Sequence, residues 1–251
     1  MIVLNAILQS NQFLYILSNV AVASTICLFL TGVEICWRIS KQNSTDGVSS
    51  APFHMGVISG NLWLQYGLLK GDQTKSEAHL LFKSITANDA ENLQAVVKVN
   101  VVSSLLYSCY VLYYWMKTKY PAKKTQDRIV LAEGGFLLAI TLFLHQHRVD
   151  TNRALNFLGA LCVTFNIATV AAPLAALHDV IKIRSTENLP LPMCIANLLV
   201  TSEWFLYGIM VNDFFIKLPN AVALVISIGQ ILPFFLYPRK RKSSFSDVEK
   251  L

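Results

Sequence analysis

The chain has 251 residues, 54% of them hydrophobic and 14% charged. A soluble domain carries about 25% charged residues, so the balance excludes an ordinary water-soluble protein and points to a membrane. The net charge of +6 includes a basic tail, PRKRK from Pro238, which topology and anionic lipid explain without a nucleic-acid partner.

A spanning helix needs about 17–25 mostly apolar residues. Seven stretches qualify: 13–36, 52–69, 94–116, 129–144, 155–181, 191–211 and 217–237. The apolar runs are continuous rather than alternating, which argues against a β-barrel. The first stretch lacks a cationic lead and a small-residue cleavage site, so it reads as a retained helix and not a signal peptide. The fourth is the weakest, being short and carrying Glu133. Cys27, Cys36, Cys109, Cys162 and Cys194 all lie in or beside apolar segments and form no C-x-x-C pair, so they read as packing residues. His145 and His147 share a short loop with no ligand cluster and read as solvated. Neither a metal nor a cofactor is expected.

The loops differ in charge. Arg38 and Lys41, the run from Lys117 to Arg128, Lys182 and Arg184, and the C-terminal tail put 14 Lys and Arg on one side, against 7 on the other. Cytosolic loops carry the excess, so the N-terminus is expected outside or in a lumen and the C-terminus in the cytosol. The sequon Asn43-Ser44-Thr45 then falls on the cytosolic side, where it should carry no glycan.

One sentence is written twice. WLQYGLLKGD from Trp63 and WFLYGIMVND from Trp204 share the template W-x-x-Y-G-x-x-x-x-D. The same offset pairs Lys41 with Lys182, Ser44 with Ser185, Thr45 with Thr186 and Asp46 with Glu187, and the register holds without a gap from Gly32/Pro173 to Asp72/Asp213. A charged and polar stretch at about 73–93 has no counterpart and reads as a loop insertion. Each repeat holds three helices. The matched loops carry charge of the same sign, so both copies face the same way, and one helix must lie between them to restore orientation. The expected architecture is an all-α integral membrane protein of seven spans: a repeat at 13–116, a linker helix at 129–144, a repeat at 155–237 and a basic tail at 238–251.

These motifs, together with PLAALHDVIKIRSTENLP from Pro173, LPN at 218–220 and SSLLYSCYVLYYW after Asn100, resemble the SWEET, or saliva-type, sugar carriers over about residues 13–238. That family has parallel repeats related by an axis along the membrane normal. The resemblance implies facilitative, bidirectional transport of a mono- or disaccharide by alternating access, and leans toward the plasma membrane and homo-oligomers.

Two tryptophans and two asparagines carry the chemistry. Trp63 and Trp204 offer flat apolar faces with one N–H each, and Asn100 and Asn220 offer donors and an acceptor for hydroxyls. The resemblance adds Thr25 and Asn166, Leu28 and Thr169, and Ser59 and Val200 as lining. It places gates at Pro52, Pro173, Pro190 or Pro192, with Gly32 where a fourth proline is expected, and on the other side at Tyr66 with Asp72 and Tyr207 with Asp213. Glu34, Glu133 and Glu203 lie in or beside apolar segments without matched partners. Glu203, next to Trp204, is the first choice for a proton-coupling test.

A carrier of the PQ-loop type shares the three-one-three plan, but the chain has no Pro-Gln pair. A seven-helix receptor shares the topology, but not the duplicated unit. No G-x-S-x-G, H-E-x-x-H or Walker motif argues for an enzyme.

Overall fold

In the computed structural model, residues 11–80, 87–146, 151–169, 171–187, 189–237 and 239 are described, and within the helices the side chains of 11, 72–80, 87–93 and 171–172 lie outside that description. Among the described residues ten helical segments are found: α1 Asn11–Phe29, α2 Thr31–Gln42, α3 Ala51–Leu80, α4 Ala87–Lys117, α5 Ala122–Gln146, α6 Thr151–Thr169, α7 Ala171–Ile183, α8 Leu191–Met210, α9 Phe214–Ile231 and α10 Pro233–Leu236. They group into seven rods, because α1/α2, α6/α7 and α9/α10 each continue one another. The three-one-three arrangement follows: α1–α4, then α5, then α6–α10.

The first rod of the first repeat breaks at Leu30, between α1 and α2, and the first rod of the second repeat is described as α6 and α7. The loops of the two repeats match. Asn43 and Arg184, 141 positions apart, both take left-handed backbone (φ 48° and 54°), and Thr45 and Thr186 are both buried. Within each repeat the third rod lies between the first and second: α4 packs on α3 and α1, and α9 packs on α8 and α6. Across the repeats, α1 meets α8 and α6 meets α3. These paired contacts are those of a pseudo-two-fold axis.

The glycine of the repeated motif has a packing reason. A Cβ on Gly208 would lie 2.9 Å from the Lys217 backbone nitrogen, and one on Gly67 3.0 Å from Val97 Cγ2. The third rod thus approaches the second closely at both glycines, most tightly at Gly208, where the neighbour is backbone.

Six rods are long and apolar enough to cross a membrane among the described residues. The linker, expected to be the weakest, is one of them, since α5 runs for 25 residues. The rod outside that set is α3, because polar side chains such as His54, Ser59, Asn61 and Gln65 punctuate it. The stretch expected as a loop at about 73–93 is largely helical backbone: α3 continues to Leu80 and α4 starts at Ala87. Its Lys, Glu, Ala and Leu residues are good helix formers, so the two rods extend past the apolar core instead of ending there.

Candidate functional site

Between the two repeats lies a cavity of about 950 Å³, at the upper end of small-molecule pockets. All ten positions picked from the sequence for sugar contact line it: Thr25, Leu28, Ser59, Trp63, Asn100, Asn166, Thr169, Val200, Trp204 and Asn220. They come from the first, second and third rods of both halves, so the pseudo-two-fold packing gathers them.

The polar groups are held in matched ways. Asn100 Nδ2 donates to Val96 O at 2.8 Å and Asn220 Nδ2 to Ile216 O at 2.7 Å, each four residues back on its own helix. An amide has two donor hydrogens and a carbonyl acceptor. One hydrogen is thereby fixed, and the remaining hydrogen and the oxygen are left for a ligand. Trp63 stands edge-on to Tyr66 (centroids 5.5 Å apart) and Trp204 edge-on to Tyr207 (5.2 Å). The halves differ in how the tryptophan is held. Trp204 Nε1 donates to Thr25 Oγ1 at 2.8 Å, and no matching bond from Trp63 is found among the described residues. Beside this pair, the Glu203 carboxylate accepts from the Ser24 hydroxyl, so this intramembrane carboxylate has a partner on α1. Glu34 is exposed.

The cavity is open at one end and shut at the other. It reaches exposed Ser49, Ala51 and Pro52, beside the loop after α2. At the opposite end, Tyr66, Tyr207 and Asp213 are at most 1% exposed. Tyr66 donates its hydroxyl hydrogen to Asp213, with Oη 2.8 Å from Oδ2 and 3.1 Å from Oδ1, and Lys70 pairs with the same carboxylate. Asp213 also caps α9, accepting from Phe215 N at 2.9 Å and Ile216 N at 3.2 Å. The bond is therefore crossed: the tyrosine of the first repeat reaches the aspartate of the second, whereas the sequence pairing put Tyr66 with Asp72 and Tyr207 with Asp213. The reason is the axis, which brings the end of α3 over the start of α9. The side chain of Asp72 lies outside the described residues.

The proline positions divide. Pro52 and Pro173 line the cavity, and Gln230 Nε2 donates to Pro173 O at 3.3 Å. Pro190 and Pro192 start α8 and are exposed, positions that suit a helix N-terminus. Gly32 is buried where any Cβ would run into the Tyr110 ring, so its smallness serves packing. Sequence reasoning missed Pro219, which sits inside α9 one residue before Asn220 and lines the cavity. A proline inside an apolar helix was the available signal. Ser103, Tyr107, Asn197, Thr201 and Gln230 also line the cavity without having been picked. No group of three metal-ligating side chains occurs among the described residues.

With this geometry in place, comparison with known proteins is direct. A family model described as a sugar efflux transporter for intercellular exchange matches residues 15–76 and 156–242. A nematode protein named sugar transporter SWEET1, from Caenorhabditis elegans, is 36% identical over 95% of this chain and 70% of its own length. A protein of the same name from Drosophila pseudoobscura pseudoobscura is 30% identical over 91% of each chain. A bidirectional sugar transporter N3 from Medicago truncatula is 27% identical over 84% of this chain and 71% of its own. The 3.7 Å structure of a eukaryotic SWEET transporter superposes with a TM-score of 0.74 at 20% identity, covering 90% of this chain and 96% of that one. That likeness speaks to the fold.

Proposed function

This chain belongs to the SWEET family of sugar carriers, and from that premise we propose that it moves a small sugar across a membrane by alternating access, passively and in both directions. It is a multi-pass membrane protein and not an enzyme. One observation carries the mechanism. Two tryptophans and two asparagines from matched positions share a cavity that is open past Pro52 and shut beyond Tyr66 and Asp213. A sugar entering from the Pro52 end stacks its C–H face on a tryptophan and exchanges hydrogen bonds with the free amide groups of Asn100 and Asn220. Rocking of one repeat against the other then separates Tyr66 and Lys70 from Asp213 while the Pro52 and Pro173 end closes. A charge-assisted bond made and broken between halves suits such a gate.

Nothing in the cycle requires an ion. Glu203 is satisfied by Ser24 and does not line the cavity, which favours facilitative transport. The cavity volume admits one sugar ring or two.

The charge bias of the loops favours an N-terminus outside the cytosol and a C-terminus within it. The Pro52 end then faces the cytosol, and the structure stands in an inward-open state. The plasma membrane and a homo-oligomer complete this reading. Labelled-sugar uptake into cells expressing the chain, measured beside surface abundance, tests it. Uptake above that of control cells is expected, and none at good surface abundance would overturn it. Glycan analysis tests the topology: Asn43, exposed and bonded through Oδ1 to Lys117 at 3.3 Å, should carry none, and an N-linked glycan there would invert the orientation.

A further inference from the structure

The linker helix α5 has no counterpart in either repeat, and only Glu133 and Ile140 on it are buried. A carboxyl group is an expensive choice for a buried anchor inside a membrane. Glu133 Oε2 lies 2.6 Å from His54 Nδ1 on α3, and both side chains are less than a tenth exposed. The other ring nitrogen, His54 Nε2, lies 3.2 Å from Gln126 Oε1, and Gln126 Nε2 donates to Ser50 Oγ at 3.1 Å. Glu133 Oε1 is buried without a partner.

This chain of bonds counts protons. An amide oxygen only accepts, so His54 Nε2 carries a hydrogen. The short contact between Nδ1 and Oε2 then holds one hydrogen between two atoms. With none, a ring lone pair faces a carboxylate. With a second, the added proton falls on Oε1, where no acceptor waits, and the ion pair becomes a cation beside a neutral acid. The tie is strongest with one shared proton.

Its place gives the tie a consequence. His54 stands two residues after Pro52, at the open mouth of the cavity, on a side of α3 that does not line it. In the second repeat the matched residue is Ile195, 44% exposed, so that mouth helix has no such anchor. We propose that His54 and Glu133 form a proton-binding latch fastening the linker helix to the mouth end of α3, and that gain or loss of the shared proton frees that end to move. The consequence for flux rests on the carrier reading; the proton binding does not.

The other titratable and charged groups nearby are engaged elsewhere. Asp46 of the preceding loop accepts from Ser44, and Asp127 of α5 accepts from Trp115, whose ring lies under Lys123. From α4, Tyr110 and Tyr114 gather round Phe53 and bond backbone oxygens, while Tyr107 packs on Tyr110. Among the described residues none of these is hydrogen-bonded to the pair.

The test compares purified wild-type chain with Glu133→Gln, free of sugar, by thermal unfolding from pH 4 to 9. Between about pH 4.3 and 6.5, the ordinary glutamate and histidine values, the unfolded chain holds one proton on these two groups, as the latch does. Above that range folding must take up a proton, and below it folding must release one, so the latch's contribution shrinks on both sides. The wild-type advantage in unfolding midpoint should be largest within the range and fall away outside it. A difference that stays constant with pH overturns the latch. If Glu133→Gln is not recovered folded, His54→Gln serves the same comparison. In proteoliposomes, wild-type flux within that range should differ about tenfold from flux at pH values beyond it where the folded latch has gained or lost a proton, the ratio of one hydrogen bond to a charged group, and the variant's profile should be flat. Identical profiles in both proteins would overturn the link to movement. A wild-type chain with no flux at any pH would contradict the carrier reading instead, with the unfolding comparison still deciding the latch.

Discussion

The two repeats are copies that have stopped being equal. In the first, Trp63 faces the cavity with no hydrogen bond found among the described residues, and the mouth helix is pinned to the linker through His54 and Glu133. In the second, Trp204 is tied to Thr25, the mouth helix turns Ile195 outward, and Asp213 both caps α9 and holds the crossed bond to Tyr66 and Lys70. The edge-on tyrosine beside each tryptophan and the backbone bond of each asparagine kept the symmetry. The contacts that hold the two ends of the cavity did not. A carrier built this way presents a nearly symmetric grip on its substrate within an asymmetric set of gates.

Substitutions at matched positions can break that comparison. The largest effect is expected at Asp213. Asp213→Ala removes the acceptor for Tyr66, Lys70 and two backbone amides at once, and breaking a buried pair costs about 3–5 kcal/mol. Thermal unfolding in detergent should show this loss, and Tyr66→Phe, which removes one donor, should cost about 1 kcal/mol. Equal effects would mean that Asp213 serves only its tyrosine. Next come the motif glycines. Gly208→Ala drives a methyl group into the backbone of α9 and should cost about 1–3 kcal/mol. Gly67→Ala meets a valine side chain that can give way, so it should cost less. The same unfolding assay ranks them, and the reverse order would contradict the packing account. The smallest effect is expected at Thr25. Thr25→Val removes the acceptor for Trp204 Nε1 at nearly constant volume, a loss of about 0.5–1.5 kcal/mol, or roughly 2- to 12-fold in sugar affinity if the ring is held by that bond. Unchanged affinity would show that Trp204 is positioned by Tyr207 alone.

Much of this was legible in the sequence, for a physical reason. Duplication copies depth and direction together, so an offset of 141 carries Thr25, Leu28, Ser59 and Trp63 to Asn166, Thr169, Val200 and Trp204. An offset of 120 beyond the unmatched stretch carries Asn100 to Asn220, and the family resemblance marks these positions as lining. What the offset cannot convey is which copy a side chain reaches. The resemblance paired Tyr66 with its own Asp72, whereas the axis presents it with Asp213. Nor can the offset reach residues without mates. Glu133 stood out as a carboxylate in an apolar segment, but its partner His54 is 79 residues away, and only the packing of α5 on α3 joins them. Apolarity misled in the same region. The linker looked weakest, yet it is long and apolar enough to span, and α3 is the more polar rod, with His54, Ser59, Asn61 and Gln65 along it. Pro219 went unpicked because its first-repeat neighbour, Val99, is not a proline.

The central claim is that both halves grip one sugar through Asn100 and Asn220. It is tested most directly by labelled-sugar flux at equal surface abundance for wild type, Asn100→Ala, Asn220→Ala and Asn61→Ala. Asn61 makes the same bond back along its own helix, to Val57 O at 2.8 Å, but does not line the cavity. Removing either cavity amide leaves a sugar hydroxyl unpaired at about 1–3 kcal/mol, or roughly 5- to 150-fold in binding, whereas polar contacts between membrane helices average only about 0.6 kcal/mol. The account predicts losses of that size, and of similar size to one another, in the two cavity variants, with Asn61→Ala near wild type. Near-normal flux in Asn100→Ala and Asn220→Ala would contradict it.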